Sequence, residues 1–455
     1  MLAHCAFTRI LAPHLPSAVH HLPSASMERR QFLSGLAAAG VTLPAFRANA
    51  MEQLFKANVL AGDRAPAALA DDELYWAQIQ RAFDADRTMI NLNNGGISPT
   101  PSHVLEQMIR DLKFTNELPV EHMWRVLEPR MESTRRDLAR DFGCDPEEMA
   151  VVRNASEALE VMIFGIDLKR GDEVLLTNQN YPRMITSWQQ RVAREGIVLK
   201  QISFKVPPPS DEYIVEQFRK AITPRTKVIE VTHITNLTGQ ILPVREIVQM
   251  ARPLGIEVFV DGAHAFNHFP FTRDQLDVDY YGTSLHKWTH APIGTGFLYV
   301  RKAKIPQLWS LMGSTEGNRA NIRKYEEIGT HPQANFNAVS AALAFSRGIG
   351  ADRKIARLRY LRDRWAKRLL ASSDRVKVLT PLDSDRAGAI CLFSVDGIDP
   401  GKLGGWLLDK HKIVTTPIGH PEFSGIRITP SVYTSVDEID TFGDAVLKAI
   451  AKGIA

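Results

Sequence analysis

Lys287 is the residue of this chain best set for covalent chemistry. It follows a short apolar run that ends at Thr283-Ser284, and it is flanked by His286 and Trp288. Gly294-Thr295-Gly296 and a second run, Phe297 to Val300, come next. A lysine delivered just past a strand, among hydroxyls, a histidine and glycines, suits an amine that forms a Schiff base with an aldehyde cofactor. A surface lysine in a β-hairpin is the plain alternative. A second stretch sharpens the choice. Ile256 to Val260 reads as a buried strand and ends in Asp261. An acid at the carboxyl end of such a strand lies where open α/β sheets bind ligands. Pyridoxal phosphate is an aldehyde whose pyridine nitrogen needs a carboxylate to keep it protonated. Asp261 and Lys287 are about one βα unit apart, so both can reach one site. A helix N-cap is the alternative for Asp261; the pair together favours the cofactor.

Nine motifs carry this further, in chain order: LNNGGISPTP, RNASEALE, GDEVLLTNQNYPRMITSW, THITNLTGQILPV, VDGAHA, TSLHKW, GTGFLYV, YEEIGT and GIRITPSVYTSVDEID. Together, over residues 90–440, they resemble the class V aminotransferase family of pyridoxal-phosphate enzymes, in particular its isopenicillin N epimerase and cysteine desulfurase/selenocysteine lyase branches. The resemblance implies fold type I: an α/β chain with a large, mainly parallel-sheet domain and a smaller α+β C-terminal domain. It also implies roles. Ala155 and Ser156 hold the cofactor phosphate, and Ser284 and His286 complete the cradle. Tyr181 stacks on the ring, Asn236 hydrogen-bonds the ring hydroxyl, and His264 stands near that hydroxyl. Gly329-Thr330 reaches across a homodimer interface to the partner's phosphate, so the sites are shared. Arg427 grips the substrate carboxylate. The residues alone leave plainer readings open: an N-cap for Ser156, a packing residue for Tyr181, an Asx-turn for Asn236, a satisfied loop histidine for His286 and a surface ion pair for Arg427.

The elements that position these residues are readable in outline. Short strands at 149–152, 173–177, 197–202 and 227–232 alternate with helices, which predicts a parallel sheet with right-handed crossovers. Residues 51–88 read as exposed helix, with Asp71-Asp72-Glu73 at a helix N-terminus. LNNGGISPTP is a turn-rich entry whose glycines allow positive φ or close backbone approach. Residues 102–141 read as two helices broken at Glu117-Leu118-Pro119. Helices are expected at 337–348 and onward to about 372, then strands at 376–379 and 388–395 and helices at 400–410 and 436–451. The expected divisions are a leader at 1–50, a helical segment at 51–90, the cofactor-binding large domain at 91–345 and the small domain at 346–455.

Composition bounds the function. The chain has 455 residues, 44% apolar and 23% charged, with a net charge of +4. Much of that excess sits in residues 1–50, where four arginines face one glutamate, Glu28. A near-neutral body argues against nucleic acid as a partner. No spacing resembles a metal site, and no stretch is long and apolar enough to span a membrane. Arg29-Arg30-Gln31-Phe32-Leu33 resembles a twin-arginine export motif; Leu36 to Leu43 is weakly apolar and Ala48-Asn49-Ala50 offers a cleavage site. Periplasmic or exported localisation by that route is the expectation, with a short amphipathic helix and a cytoplasmic enzyme as the alternative, and Met27 can be the true start.

The expected reaction is an epimerase-like or lyase-like change at Cα/Cβ of an amino acid or related amine with a carboxylate. An aminotransferase is the alternative, and a non-catalytic cofactor-binding protein is the non-enzyme rival. Desulfuration is disfavoured. Desulfurases of this family carry a nucleophilic cysteine in a loop shortly before the carboxylate-binding arginine, and here that loop, IVTTPIGHPEFSGIR, has none. Of the three cysteines, Cys5 lies in the leader and Cys391 lies within a strand reading; the third is Cys144.

Overall fold

The computed structural model describes residues 50–382 and 385–454. The leader reading with its twin-arginine motif lies outside them, apart from Ala50. Seven strands form the large sheet: β1 (Met149–Val152), β2 (Glu173–Thr177), β3 (Val198–Ile202), β4 (Thr226–Thr232), β5 (Glu257–Asp261), β6 (Tyr280–Ser284) and β7 (Gly296–Val300). Their spatial order is β1-β7-β6-β5-β4-β2-β3. From β6 through β3 every pairing is parallel. Only β7 runs the other way, antiparallel to both β6 and β1.

The near-continuous apolar runs follow from helices covering both faces. Alternate residues serve opposite cores. Val151, Val231, Val260 and Tyr281 face one; Val152, Val228, Phe259 and Leu298 face the other. Edge strand β3 is more open, and it is the strand that carries Lys200 and Gln201.

Four strands make a second, antiparallel sheet: β8 (Val376–Val378), β9 (Cys391–Val395), β10 (Thr416–Gly419) and β11 (Ser424–Ile428), ordered β10-β11-β9-β8. Its core centres on Trp365, Phe393 and Phe442, whose ring centroids lie 5.2 to 5.9 Å apart. Truncating one such buried ring to alanine costs about 3–5 kcal/mol. Upstream, Ile90–Asn91 pairs in parallel with Ile413–Val414, so the entry segment is fastened to the chain just before this second sheet's hairpin.

Several expectations need correction. The stretch read as a loop before Arg427 is a hairpin, β10 and β11, and β9 starts at Cys391 rather than 388. Pro417, Gly419 and Gly425 hide the strand pattern in the hairpin. The segment after residue 50 is not wholly exposed: Tyr75, Trp76 and Ile79 pack with Phe345, Ile349 and Val432. Asp72 does cap its last helix, accepting from the N–H groups of Leu74 and Tyr75 at 3.0 and 3.2 Å. The helix Ser102–Glu117 ends where Pro119 disfavours continuation, but a further helical stretch, Val120–Leu127, intervenes before Met131–Phe142. Among the described residues no helix is long and apolar enough to cross a membrane.

Candidate active site

The carboxyl edge of the large sheet collects the chemistry. β5 ends in Asp261, buried, with Oδ1 accepting the Ala263 N–H at 2.9 Å. Thr232, the last residue of β4, stands in register beside it. β6 ends at Ser284, and three residues on, Lys287 Nζ lies 3.2 Å from His264 Nε2.

Next to them the helix Ala155–Gly165 opens. Its cap is Asn154, whose side chain accepts the Glu157 N–H, so Ser156 is not the cap and its hydroxyl stays available. The Ala155 N–H donates to Ser284 Oγ at 2.9 Å. That bond engages the Ala155 N–H, while Ala155 and Ser156 both line the cavity at the helix start, the kind of place that suits an anion. The glycine at 296 is required: a Cβ there would sit 2.5 Å from Thr283 O and 2.7 Å from Asn154 Cα.

Ala155, Ser156, Tyr181, Asn236, Asp261, His264, Ser284, His286, Lys287 and Arg427 all line one cavity of about 410 Å³. Arg427 enters from β11 of the second sheet. Its Nη1 donates to Asn236 O at 2.8 Å and its Nη2 to Asn93 Oδ1 at 2.9 Å.

Burial dominates the electrostatics. It pushes the Lys287 ammonium down to about 8; Asp261 opposes the push and Arg427 adds to it. It raises the Asp261 carboxyl, against the Ala263 N–H and Lys287. It keeps His264 neutral, aided by Lys287, and takes His286 to about 4 and Arg427 to about 10. Polar atoms are left over: Thr232 Oγ1, Asn236 Oδ1, His264 Nδ1 and Arg427 Nε are buried without a partner. Unpaired buried groups converging on one cavity mark a place for a polar ligand. Pyridoxal phosphate fits this donor set. Ser156 and the helix start can take its phosphate, Asp261 its ring nitrogen and Lys287 its aldehyde.

The sequence model of the class V aminotransferases matches residues 90–442. The chain belongs to the class V aminotransferase family. It is a pyridoxal-phosphate-dependent enzyme. Isopenicillin N epimerase of Streptomyces clavuligerus is 28% identical over 392 residues, covering 82% of this chain and 97% of the relative. A cysteine desulfurase of Haloferax volcanii is 24% identical, covering 80% and 90%. Among solved structures, the apo cysteine desulfurase of Thermococcus onnurineus NA1 shares the fold, with a TM-score of 0.71 at 22% identity, covering 82% of this chain and 98% of that one.

One site residue expected of this class V enzyme is elsewhere. Thr330, with Gly329, borders a separate hollow beside Trp124, not the cavity of its own chain. The YEEIGT motif also has a second part to play: Glu326 pairs with buried Arg135 and accepts the Val151 N–H, which pins β1. Other residues had been missed. Thr232 ends a buried strand just as Asp261 does, a signal the sequence contained. Asn93 gave no signal of its own, whereas Gly95 belongs to the entry whose glycines allow close backbone approach. Gly95 lets the entry loop press on Thr429, its N–H donating to Thr429 Oγ1 at 2.9 Å, where a Cβ would meet Thr429 Cγ2 at 2.9 Å. The glycines at 95 and 96 thus serve close approach, and neither has positive φ.

Glu230 was also unforeseen. It is fully buried on β4, two residues before Thr232, and accepts from Asn180 Nδ2 at 3.0 Å and Trp188 Nε1 at 2.6 Å. Burial pushes its carboxyl up to about 7, with the two N–H donors opposing and Asp261 adding.

Proposed function

We propose that this enzyme moves a proton at Cα of an amino acid, or of a related amine with a carboxylate, and completes an epimerase-type or lyase-type change at Cα–Cβ. The observation that carries the reading is that Lys287, Asp261 and Arg427 line one cavity. Pyridoxal phosphate, when bound, draws electrons from the Cα of an amino acid joined to it. Lys287 holds the cofactor and, once released, takes and returns the Cα proton; an amine titrating near 8 can do both near neutrality. Asp261 keeps a proton on the ring nitrogen. Ser156, Ser284 and His286 hold the phosphate, Tyr181 lies against the ring, and Asn236 and His264 address its hydroxyl. Arg427 orients substrate by its carboxylate and so selects which Cα bond breaks.

Persulfide chemistry is disfavoured. The 413–427 segment contains no cysteine. Burial pushes both Cys144 and Cys391 up to about 12, which leaves neither as a thiolate. The test is a panel of L- and D-amino acids with purified protein in deuterated water. Deuterium at Cα with loss of chirality, or loss of a β-substituent, is expected. Amine transfer to a keto acid without either change overturns the reading. Borohydride should fix the cofactor mass on Lys287, and Lys287→Ala should abolish that mass gain.

Two further readings rest on other residues. We propose a homodimer in which Thr330 reaches the partner's phosphate; the exposed stripe Leu105, Ile109 and Leu112 and the exposed Trp124 supply apolar area for it. A monomeric mass by light scattering refutes it. We also propose export by the twin-arginine route, on the strength of RRQFL. Replacing Arg29 and Arg30 by lysine should hold the precursor in the cytoplasm, and unchanged fractionation refutes it.

A further inference from the structure

Glu230 is an expensive residue to bury. It has no exposure, and no cation is among the groups that set its titration. Its strand neighbour on the same face, Val228, is apolar core. An apolar side chain at 230 would avoid the loss of hydration, so the carboxylate must be held for what it binds. Among the described residues it accepts from two N–H donors. One is Trp188 Nε1, on the helix Pro182–Glu195. The other is Asn180 Nδ2.

Asn180 is itself the hub of a turn. Its Oδ1 accepts the Thr177 N–H at 3.0 Å and the Thr177 hydroxyl at 2.8 Å. The amide therefore ties the end of β2 to the middle of β4, and both Asn180 and Thr177 are buried. The next residue is Tyr181. It lines the cavity, is 38% exposed and ends the turn just before Pro182 starts the helix. With its ring open to the cavity, Tyr181 depends on its backbone for placement. The turn is held from its other side as well, where His420 Nε2, beyond the second sheet's β10, lies 3.2 Å from Asn178 O.

We propose that Glu230 is a positioning residue for the cofactor: through Asn180 it holds the turn that sets Tyr181 against the cavity. This rests on the reading that Tyr181 lies against the cofactor ring. Glu230 never touches the cofactor; it acts from beneath, by fixing one amide. An acceptor-only group is needed, because both donors point at it.

The donor and acceptor roles can be exchanged. In Glu230→Gln, one acceptor oxygen becomes a donating NH₂ and must face an N–H. In the double variant E230Q/N180D, the NH₂ of the introduced glutamine would donate to the new carboxylate, which still accepts from Thr177. The glutamine's oxygen meanwhile keeps Trp188. Apo-protein of wild type, E230Q, E230Q/N180D, Asn180→Ala and Tyr181→Ala is titrated with pyridoxal phosphate. The dissociation constant is read from tryptophan quenching, the ring environment from the dichroism of the bound cofactor, and integrity from the apo-protein's thermal midpoint. E230Q should raise Kd about tenfold and alter the dichroism. The double variant should return to within about twofold of wild type. Asn180→Ala keeps the Glu230–Trp188 bond but frees the turn, and should raise Kd like E230Q; it serves as the test if E230Q does not fold. Wild-type Kd and dichroism in E230Q or in Asn180→Ala, with Tyr181→Ala weakened, overturns the role of Glu230 and leaves that of Tyr181 standing. A folded double variant no better than E230Q also overturns it. An unchanged Kd in Tyr181→Ala removes the reading on which the proposal rests.

Discussion

Asp261→Asn should move the titration of Lys287 in the apo-protein downward. Three influences set that titration: burial and Arg427 disfavour the ammonium, and Asp261 favours it. Their balance brings an ordinary value of 10.5 to about 8. At about pH 7.5 this leaves roughly a quarter of Lys287 as free amine, against roughly one part in a thousand for a lysine in water. The amine, not the ammonium, attacks an aldehyde, so the site gains roughly two orders of magnitude in reactive form. Asparagine in place of Asp261 keeps the shape and removes the opposing charge. A shift on the order of one pK unit, about 1.4 kcal/mol, is the size expected of one nearby opposite charge. At about pH 6.5 that shift alone raises the free amine roughly eightfold. The assay is reductive methylation with formaldehyde across a pH series, scored at Lys287 by peptide mass spectrometry. Labelling should rise with pH, with its inflection at about 8 in the wild type. The inflection should come lower in the variant. A wild-type inflection near that of surface lysines, or an upward shift in Asp261→Asn, refutes the electrostatic account.

Arg427→Lys keeps a charge but cannot span Asn236, Asn93 and a substrate carboxylate together; kcat/KM should fall at least about tenfold with cofactor content unchanged. Incubation with cysteine should give no persulfide on Cys144 or Cys391, and one trapped on either by alkylation and mass spectrometry would reverse that expectation. Gly296→Ala should lower stability by about 3 kcal/mol or more in urea unfolding, because backbone on both sides blocks the new methyl.

What could be read beforehand follows from how far each signal reaches along the chain. Strand runs such as Met149–Val152 and Glu173–Thr177 are buried on both faces and announce themselves as apolar blocks. Asp261, Ser284 and Lys287 are placed by such strands, so their meeting could be anticipated. Arg427 could be anticipated only by motif, because its hairpin is interrupted by glycine and proline and β11 takes its stability from pairing with β9. Tyr75 and Trp76 looked solvent-exposed because their partners, Phe345 and Val432, lie hundreds of residues later. Glu230 was the hardest. A single acid inside the strand reading VIEVT carries no signal of its own, and only the tertiary contact with Asn180 and Trp188 gives it meaning.

The parallel pairing of Ile90–Asn91 with Ile413–Val414 has a consequence for biosynthesis. The residues this chain sets around the cofactor end of the cavity, Ala155 to Lys287, have all been made by residue 287, and β7, which joins β1 to the sheet, follows by residue 300. Arg427, the proposed carboxylate clamp, emerges far later, and its partner Asn93 must wait for it. At roughly 5–20 residues per second, the entry segment waits roughly 15–60 s on the ribosome for its strand partner. A nascent chain stalled before residue 413 would therefore carry Lys287 without the arginine proposed to select the substrate. Cofactor capture by ribosome-bound chains of increasing length should begin well before amino-acid selectivity does.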